Sequence, residues 1–565
     1  MASIVGKRIG GQTYYYLREV ARVGGKPKIV AQRYLGKAAD IEAAVAGATS
    51  LPARTRHLAF GDLAAAWEVL RRLRVVEIID QLVGSRRADA AASVGTYLAL
   101  AAVNRVVAPC SKLAFADWWA TTAGDRWVRL PAGALDHRRF WNAMDALSGQ
   151  TVRAAERAIT AAMVAEYAVD LSGLVLDMTN FATWVDSGNA RNTIAQRGKS
   201  KQHRSDLRLV GLGLIVSTDG GVPLVSHPYP GNRPDVTQFG ALVGELLGRW
   251  GALAADGAGR DLTIVYDAGQ DSAANQALIA DSPLHFVGSL PPSDHPELLS
   301  IPTRRYGEVD PEAFPGLTAY QSRVSALGAT YRAVLTHSTE LHAKQARGLE
   351  QTLAKAERRL AELQARLARG KTRRQRPAVE AEVARICADR WVSRVLTTTL
   401  TGERPASLRL DWQLDTQARQ ALEAELFGKR ILFTDRTDWT TAQVVAAYRS
   451  QEEVETDFRQ MKDPKVVSFS PMYHWTDQKV VVHAFYCALA LGVARLLRRQ
   501  AAQAGLPMSV RELLGHLGGI QETVLLYQGQ RGRPRARRML TELTPIQARL
   551  YDLFGLHTYA PPSQP

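Results

Sequence analysis

The chain has 565 residues, 46% of them apolar, and its 71 lysines and arginines against 55 aspartates and glutamates give a formal charge of +16. That length exceeds the size at which a single core stops growing, so roughly two to four domains are expected. The charge favours a polyanionic partner, nucleic acid ahead of an anionic membrane surface. No apolar stretch reads as approaching the roughly 20 residues of a spanning helix, and no signal peptide is legible at the amino terminus. Cys110, Cys387 and Cys487 are few and far apart, which argues for a reducing cytosol and against a disulfide framework or a zinc site.

Residues 1–45 are basic and rich in tyrosine. Thr13-Tyr-Tyr-Tyr-Leu17 and Lys28-Ile-Val-Ala-Gln-Arg-Tyr-Leu35 predict two strands joined across Val23-Gly-Gly-Lys26. The interleaved Arg18, Arg22, Lys26, Lys28, Arg33 and Lys37 suit a nucleic-acid-facing hairpin; the alternative is a small β module whose tyrosines only pack. Residues 58–168 predict helices at 60–73, 91–107, 111–120, 140–147 and 151–167, with Ser111 and Ser148 or Thr151 as caps. Trp118, Trp119 and Trp141 are assigned to the core of this helical block, for which DNA binding is one reading.

Near Leu171 the period changes. Leu174-Val-Leu-Asp177 is a short apolar run ending in a carboxylate, strands are expected at 207–217 and 222–226, and Leu262-Thr-Ile-Val-Tyr-Asp267 is again a buried-type strand ending in aspartate. His285-Phe-Val-Gly-Ser289 follows, with helices at 237–250 and 272–279 between, giving a mixed α/β pattern. Strands at 320–326 and 330–336 then precede a charged helix. In it Leu349, Leu353, Ala356, Leu360, Leu363 and Leu367 step as a heptad seam; Val379, Val383 and Ile386 resume it after a basic break, which predicts an antiparallel helical hairpin. Strands are expected around 408–414 and 430–434. Beyond 462, an apolar helix at 479–497 and a helical, basic stretch at 501–550 complete the pattern.

Tyr448 to Lys462 contains neither proline nor glycine and predicts one continuous helix. Tyr448, Gln451, Glu455, Arg459 and Lys462 recur three, four and three or four apart, so they share a face on which one carboxylate stands among a tyrosine, an amide and two cations. A solvated amphipathic helix with internal ion pairs has the same pattern. Asp177, Asp267 and Glu455 together supply what two hard divalent cations need: oxygen ligands with room for water and phosphate. Each aspartate alone equally well starts a turn, and Glu452, Glu453, Asp435 and Asp438 compete for the third position.

The spacing Tyr448, Glu455, Lys462 resembles the carboxy-terminal signature of the DDE-class, cut-and-paste transposases of bacterial insertion sequences (the insertion-sequence-four-like superfamily), closest to a subgroup with a basic, tyrosine-rich amino terminus. Gln451 stands where arginine is usual. Asp177-Met-Thr-Asn-Phe181, Arg197-Gly-Lys-Ser-Lys201 and Arg204-Ser-Asp-Leu207 are similar to the family's first-aspartate region, and Pro230-Gly-Asn-Arg-Pro-Asp235 with Asp267-Ala-Gly-Gln-Asp-Ser272 to its second. The resemblance spans roughly residues 1–500. It implies an α/β fold: an RNase H-like catalytic core at 170–298 and 430–500, interrupted by a strand and helical-hairpin insertion domain at 299–429. An all-α domain at 58–168, the β module at 1–45 and a basic helical region with its tail at 501–565 complete the expected layout.

It further implies that Asp177, Asp267 and Glu455 bind two Mg2+ or Mn2+ ions and catalyse cleavage at transposon ends and strand transfer into target DNA. Water would attack the phosphodiester, and the freed 3′ hydroxyl would be the next nucleophile. Tyr448, Gln451, Arg459 and Lys462 would contact DNA, with Lys199, Lys201, His203 and Arg204 as a further phosphate-binding cluster. Arg531-Gly-Arg-Pro-Arg-Ala-Arg-Arg538 places Arg531 and Arg533 in a tail suited to nonspecific DNA contact or an A·T-rich minor groove. The implied partners are the double-stranded terminal inverted repeats and target DNA, bound by a homodimer in the synaptic complex, in a bacterial, nucleoid-associated cytoplasmic setting without a membrane. The rival readings are an RNase H-like DNA nuclease without transposition, and a domesticated, catalytically inactive DNA-binding protein. His227 and His483 are assigned to packing.

Overall fold

The computed structural model describes residues 2–49, 51–84, 90–202, 204, 206–253, 261–370, 373–527 and 535–562, in two compact units. The first comprises Met1–Ala65, Trp119–Arg129 and Leu514–Pro565, and the second Ala66–Trp118 and Leu130–Leu513.

The first unit begins with β1 (Ala2–Ile9), β2 (Gln12–Val23) and β3 (Lys26–Gly36), an antiparallel three-stranded sheet rather than a two-stranded hairpin. Tyr14 and Tyr16 lie 6.1 and 5.3 Å, ring to ring, from Tyr34, so the tyrosines do pack on one another. Arg22, Lys26, Lys28 and Arg33 are exposed, Arg18 is half-buried, and the Lys37 ammonium lies 5.9 Å from the Tyr14 ring. β4 (Arg54–Ala59) follows.

The second unit is mixed α/β, built on a nine-stranded sheet. Its strands are β5 (Gly173–Thr183), β6 (Arg208–Ser217), β7 (Pro223–Pro230), β8 (Thr263–Val265), β9 (His285–Leu290), β10 (Gly307–Glu308), β11 (Leu317–Ala326), β12 (Ala329–Ser338) and β15 (Lys429–Thr434), in the order β10-β11-β12-β15-β9-β8-β5-β6-β7. From β5 the chain runs outward through antiparallel β6 and β7, then returns to the other side of β5 and adds β8 and β9 in parallel. The direction of winding therefore reverses between β5 and β8, where an open sheet leaves a crevice at its carboxyl ends. Of the block expected at 299–429, β11 and β12 extend this sheet. The helices Thr339–Ala368 and Arg376–Ile386 and the hairpin of β13 (Leu396–Thr401) and β14 (Arg409–Leu414) make a separate core, in which the heptad seam from Leu349 to Leu367 packs against both the second arm and that hairpin.

Helices at Val94–Val107, Gly149–Tyr167 and Asp477–Gln503 pack together, the last also covering β7, while Gln451–Met461 lies on β5. Asp477–Gln503 corrects one expectation: it is 27 residues long and apolar enough to cross a membrane by length and composition, although almost all of it is buried inside the protein as a core helix is. A second correction concerns the stretch at 501–550. β16 (Gln521–Tyr527) and β17 (Arg535–Leu540), in the first unit, form a sheet with β4; Thr523, Val524 and Tyr527 are strand-favouring residues, and burial alternates from Gln521 to Leu525.

Candidate active site

The residues at the winding reversal are Asp177 and Asp267. β5 pairs with β8 in the register Gly173–Thr263, Leu174–Ile264 and Val175–Val265, and each aspartate lies two residues past the last pair. The 90-residue separation of the two carboxylates is thus the pairing offset of two parallel strands. β8 stops, β5 continues alongside β6 to Thr183, and both carboxylates stand at the mouth.

Each aspartate has one oxygen committed. The Asp177 Oδ1 accepts the Met178 amide at 2.7 Å. The Asp267 Oδ1 accepts the Ala268 amide at 2.8 Å, the Ser289 hydroxyl at 3.0 Å and the Tyr448 hydroxyl at 3.3 Å. Among the described residues no hydrogen bond engages either Oδ2. Burial raises the Asp177 pKa to about 6; the Met178 amide and Lys201 oppose the rise, and Asp267 and Asp235 add to it. The pair thus concentrates negative charge in a half-desolvated mouth.

Three cations and a tyrosine frame it. Lys462, at the end of the helix Gln451–Met461, donates to the Thr179 hydroxyl at 2.8 Å; burial, then Lys201, lowers its pKa while Asp177 raises it. Lys201 donates to the Met178 carbonyl at 2.6 Å and to Asp235 at 2.9 Å, and Asp235 accepts the Tyr229 hydroxyl at 2.6 Å. The Tyr229 ring crosses β6 over Gly211, where any Cβ would collide with it. Arg430 completes the set, donating at 3.4 Å to the Tyr448 hydroxyl, which also lies 3.0 Å from Ser289 Oγ. Burial, then Asp267, raises the Tyr448 pKa, so it remains a donor at neutral pH.

The signature segment is not one helix. Thr441–Arg449 and Gln451–Met461 meet at Ser450, whose hydroxyl donates back to the Ala447 carbonyl. A serine able to satisfy that carbonyl with its own side chain competes with helix continuation. Glu455, Gln451 and Arg459 nevertheless share a groove with Tyr448, a cavity of about 400 Å3 also lined by Arg430, Arg449, Lys344 and Glu452. Glu455 is exposed there. Of its competitors, Glu453 points away, pairing with Arg495 at 3.0 Å and Arg498 at 3.3 Å, beside the fully buried Asp457–Arg495 pair. Asp435 is held by the Phe286 amide and His285, at 2.9 and 2.8 Å.

Among the described residues no three carboxylate, imidazole or thiol groups are gathered closely enough to hold a metal ion together. Asp177 and Asp267 fit the oxygen preference of a hard divalent cation; Glu455 is not gathered with them. Lys199 is exposed, Arg204 is exposed and ion-paired with Asp206 at 2.7 Å, and Arg531, Arg533 and His203 lie outside the described residues. His483 is fully buried and bonded to His474, Tyr486 and the Phe469 carbonyl, as a packed histidine. One residue was missed in the sequence: Asp271, four residues after Asp267, has both carboxylate oxygens buried without a hydrogen-bond partner, and burial followed by Asp267 and Asp294 raises its pKa to about 8. The repeated aspartate in Asp267-Ala-Gly-Gln-Asp271 was the available signal.

No family model matches the sequence, and no curated protein does. Among solved structures the chain is similar to one titled "Cryo-EM structure of piggyBac transposase synaptic complex with hairpin DNA (SNHP)", with a TM-score of 0.37 and 10% identity over 83% of this chain and 82% of that one. A likeness that distant carries no argument about this chain.

Proposed function

We propose that the chain is a DDE-type DNA transposase, a nuclease and strand-transferase that cleaves transposon ends and joins them to target DNA. The observation that carries this reading is that one short segment serves both aspartates. Its tyrosine reaches Asp267, its lysine reaches Thr179 two residues beyond Asp177, and Glu455 lies midway between them in sequence. The reversal of winding between β5 and β8 supports an RNase H-like core, since that crevice is where an open sheet binds its ligand.

Asp177, Asp267 and Glu455 would hold the Mg2+ or Mn2+ ions. When bound, such ions supply Lewis acidity at the phosphodiester and a readily deprotonated water. The protein's own part is positioning. Tyr448 and Ser289 fix one oxygen of Asp267 and leave the other without a hydrogen-bond partner among the described residues. Lys201, oriented by Asp235 and in turn by Tyr229, and Lys462 offer positive charge to a phosphate beside Asp177. Arg430, Arg449, Arg459 and Lys344 make the adjoining groove suitable for a DNA backbone. The substrate is double-stranded DNA, the terminal inverted repeats and the target, brought together by a homodimer.

The test is cleavage of a plasmid carrying the DNA that flanks this gene, with Mg2+ and with EDTA, by the wild type and by Asp177→Asn, Asp267→Asn and Glu455→Gln. Metal-dependent cuts at the element ends that vanish in all three variants are expected. End binding without any cut would instead support an inactive DNA-binding protein. That second reading is favoured by Gln451 in place of the usual arginine and by a Glu455 not gathered with the aspartates. Cutting without strand transfer would leave a nuclease.

A further inference from the structure

Away from Asp177 and Asp267, the second unit has a cavity of about 290 Å3 between its helical layer and the segment after Lys462. Lys112 lines it. Only 7% of this residue is exposed, and its Nζ has no hydrogen-bond partner among the described residues. It is held by aromatic faces alone, 4.5 Å from the Tyr486 ring centroid and 5.5 Å from that of Phe140. Behind it Arg105 is 1% exposed; its terminal nitrogens donate to the Ser470 and Cys110 carbonyls, and its Nε has no partner. Among the described residues no carboxylate forms a salt bridge with either cation. Two desolvated cations without a counter-charge are costly, and such groups in folded proteins are normally paired. Burial, then Arg105, pushes the Lys112 pKa down to about 7, which an arriving anion would reverse.

The rim has the complementary chemistry. Trp141, assigned to the core from sequence, is 41% exposed, and Tyr473 is 63% exposed; both line the cavity. Exposed aromatic faces beside a buried cation are what a base stacks on, and His137 steadies the Trp141 ring at 4.7 Å, centroid to centroid. Tyr473 lies 6.1 Å, ring to ring, from Trp184, which directly follows β5, the strand that carries Asp177.

We propose that this cavity is a nucleotide subsite: Lys112, backed by Arg105, takes a phosphate, and Trp141 and Tyr473 stack the adjoining base. The phosphate belongs either to a DNA strand or to a free mononucleotide, and the chemistry is shared. The subsite does not depend on whether Asp177 and Asp267 cleave DNA.

Calorimetric titration of the full chain with deoxyadenosine monophosphate, inorganic phosphate and deoxyadenosine tests it, using the wild type, Lys112→Met, Tyr473→Ala and Asp177→Asn. The monophosphate should bind at one site, at least about tenfold more weakly to Lys112→Met. Tyr473→Ala should weaken the monophosphate and leave inorganic phosphate unchanged, and any binding that changes in Asp177→Asn but not in Lys112→Met or Tyr473→Ala belongs to the Asp177 mouth instead. Exposed Tyr473 keeps the test decisive if Lys112→Met does not fold. Competition by a short 5′-phosphorylated single strand at lower concentration than the mononucleotide would identify a DNA strand as the source; the reverse order would identify a free nucleotide. Absence of monophosphate binding, or equal affinity in the wild type, Lys112→Met and Tyr473→Ala, would overturn the proposal.

Discussion

Tyr448 and Asp267 stand 181 residues apart in sequence and meet at 3.3 Å, hydroxyl to Oδ1, with Ser289 bridging the same two groups at 3.0 Å to each. On the proposed reading the tyrosine is neither a metal ligand nor a proton donor in the reaction; it holds one oxygen of Asp267 and leaves the other without a hydrogen-bond partner among the described residues. Outer partners of this kind are worth about 10- to 100-fold in metal affinity or activity. Tyr448→Phe keeps the ring and removes the bond, so end cleavage should fall within that range, and more metal should restore part of it. Unchanged cleavage across a Mg2+ titration would remove Tyr448 from the site.

The acidic residues of the signature helix divide by face, and stability separates them. Asp457 and Arg495 form a side-chain pair 0% and 1% exposed, and burial raises the Asp457 pKa to about 7. Asp457→Asn leaves the guanidinium with Glu453 as its remaining carboxylate and should cost about 1–3 kcal/mol. Glu455 is exposed in the groove, and Glu455→Gln should leave the unfolding midpoint within roughly 0.5 kcal/mol of wild type while abolishing cleavage. Thermal unfolding run beside the plasmid assay reads both. A Glu455→Gln enzyme that cuts normally would move the third carboxylate to Glu452, which lines the same groove, rather than to Glu453, which is committed to Arg495.

Lys462 tests the other end of the segment. Its ammonium is half-buried, bonded to Thr179 and lowered in pKa by burial and by Lys201. Lys462→Met preserves the stem over the Phe181 ring, 5.6 Å from the ammonium, and deletes the charge. Cleavage should fall by roughly 10- to 100-fold, with the salt dependence of DNA binding reduced by about one phosphate contact. Loss of binding without loss of turnover at saturating DNA would make it an affinity contact only.

Much of this site was legible because its signals are local. Two apolar runs ending in Asp177 and Asp267 read as strand ends; that holds for Asp267, just past β8, whereas β5 runs on through Asp177 to Thr183. Of the expected single face, Tyr448 and Glu455 share a groove while Lys462 turns to Thr179. What the sequence withheld is non-local. The 90-residue interval means nothing until β5 and β8 are known to pair in that register. The break at Ser450 was missed because the helix pattern continues through it and only a side-chain bond to Ala447 interrupts it. Trp141 has the spacing of a core residue, yet it is 41% exposed on the rim of the cavity it lines with Tyr473, 332 residues later in the chain. β16 was hidden because its partners are β4, more than 450 residues earlier in its register, and β17 beside a basic run.

Asp271 makes the last prediction. Its carboxyl is raised from the usual 3.8 to about 8, first by burial and then by Asp267 and Asp294, and neither oxygen has a partner. The folded protein therefore keeps this proton at neutral pH while the unfolded chain has released it. Between roughly pH 4 and 8 the folded state binds more protons than the unfolded state, so this group's contribution to stability is complete below its unfolded pKa and is lost as pH rises through its folded pKa. Asp271→Asn keeps the shape of the neutral carboxyl and cannot ionise, so the fall in unfolding midpoint from pH 5 to pH 9, measured in EDTA, should be shallower than in the wild type. At pH 9 the variant should be the more stable of the two, by about 1–3 kcal/mol if the unpaired charge is fully relieved. Parallel midpoint curves for the two proteins would mean that Asp271 already ionises freely in the folded state.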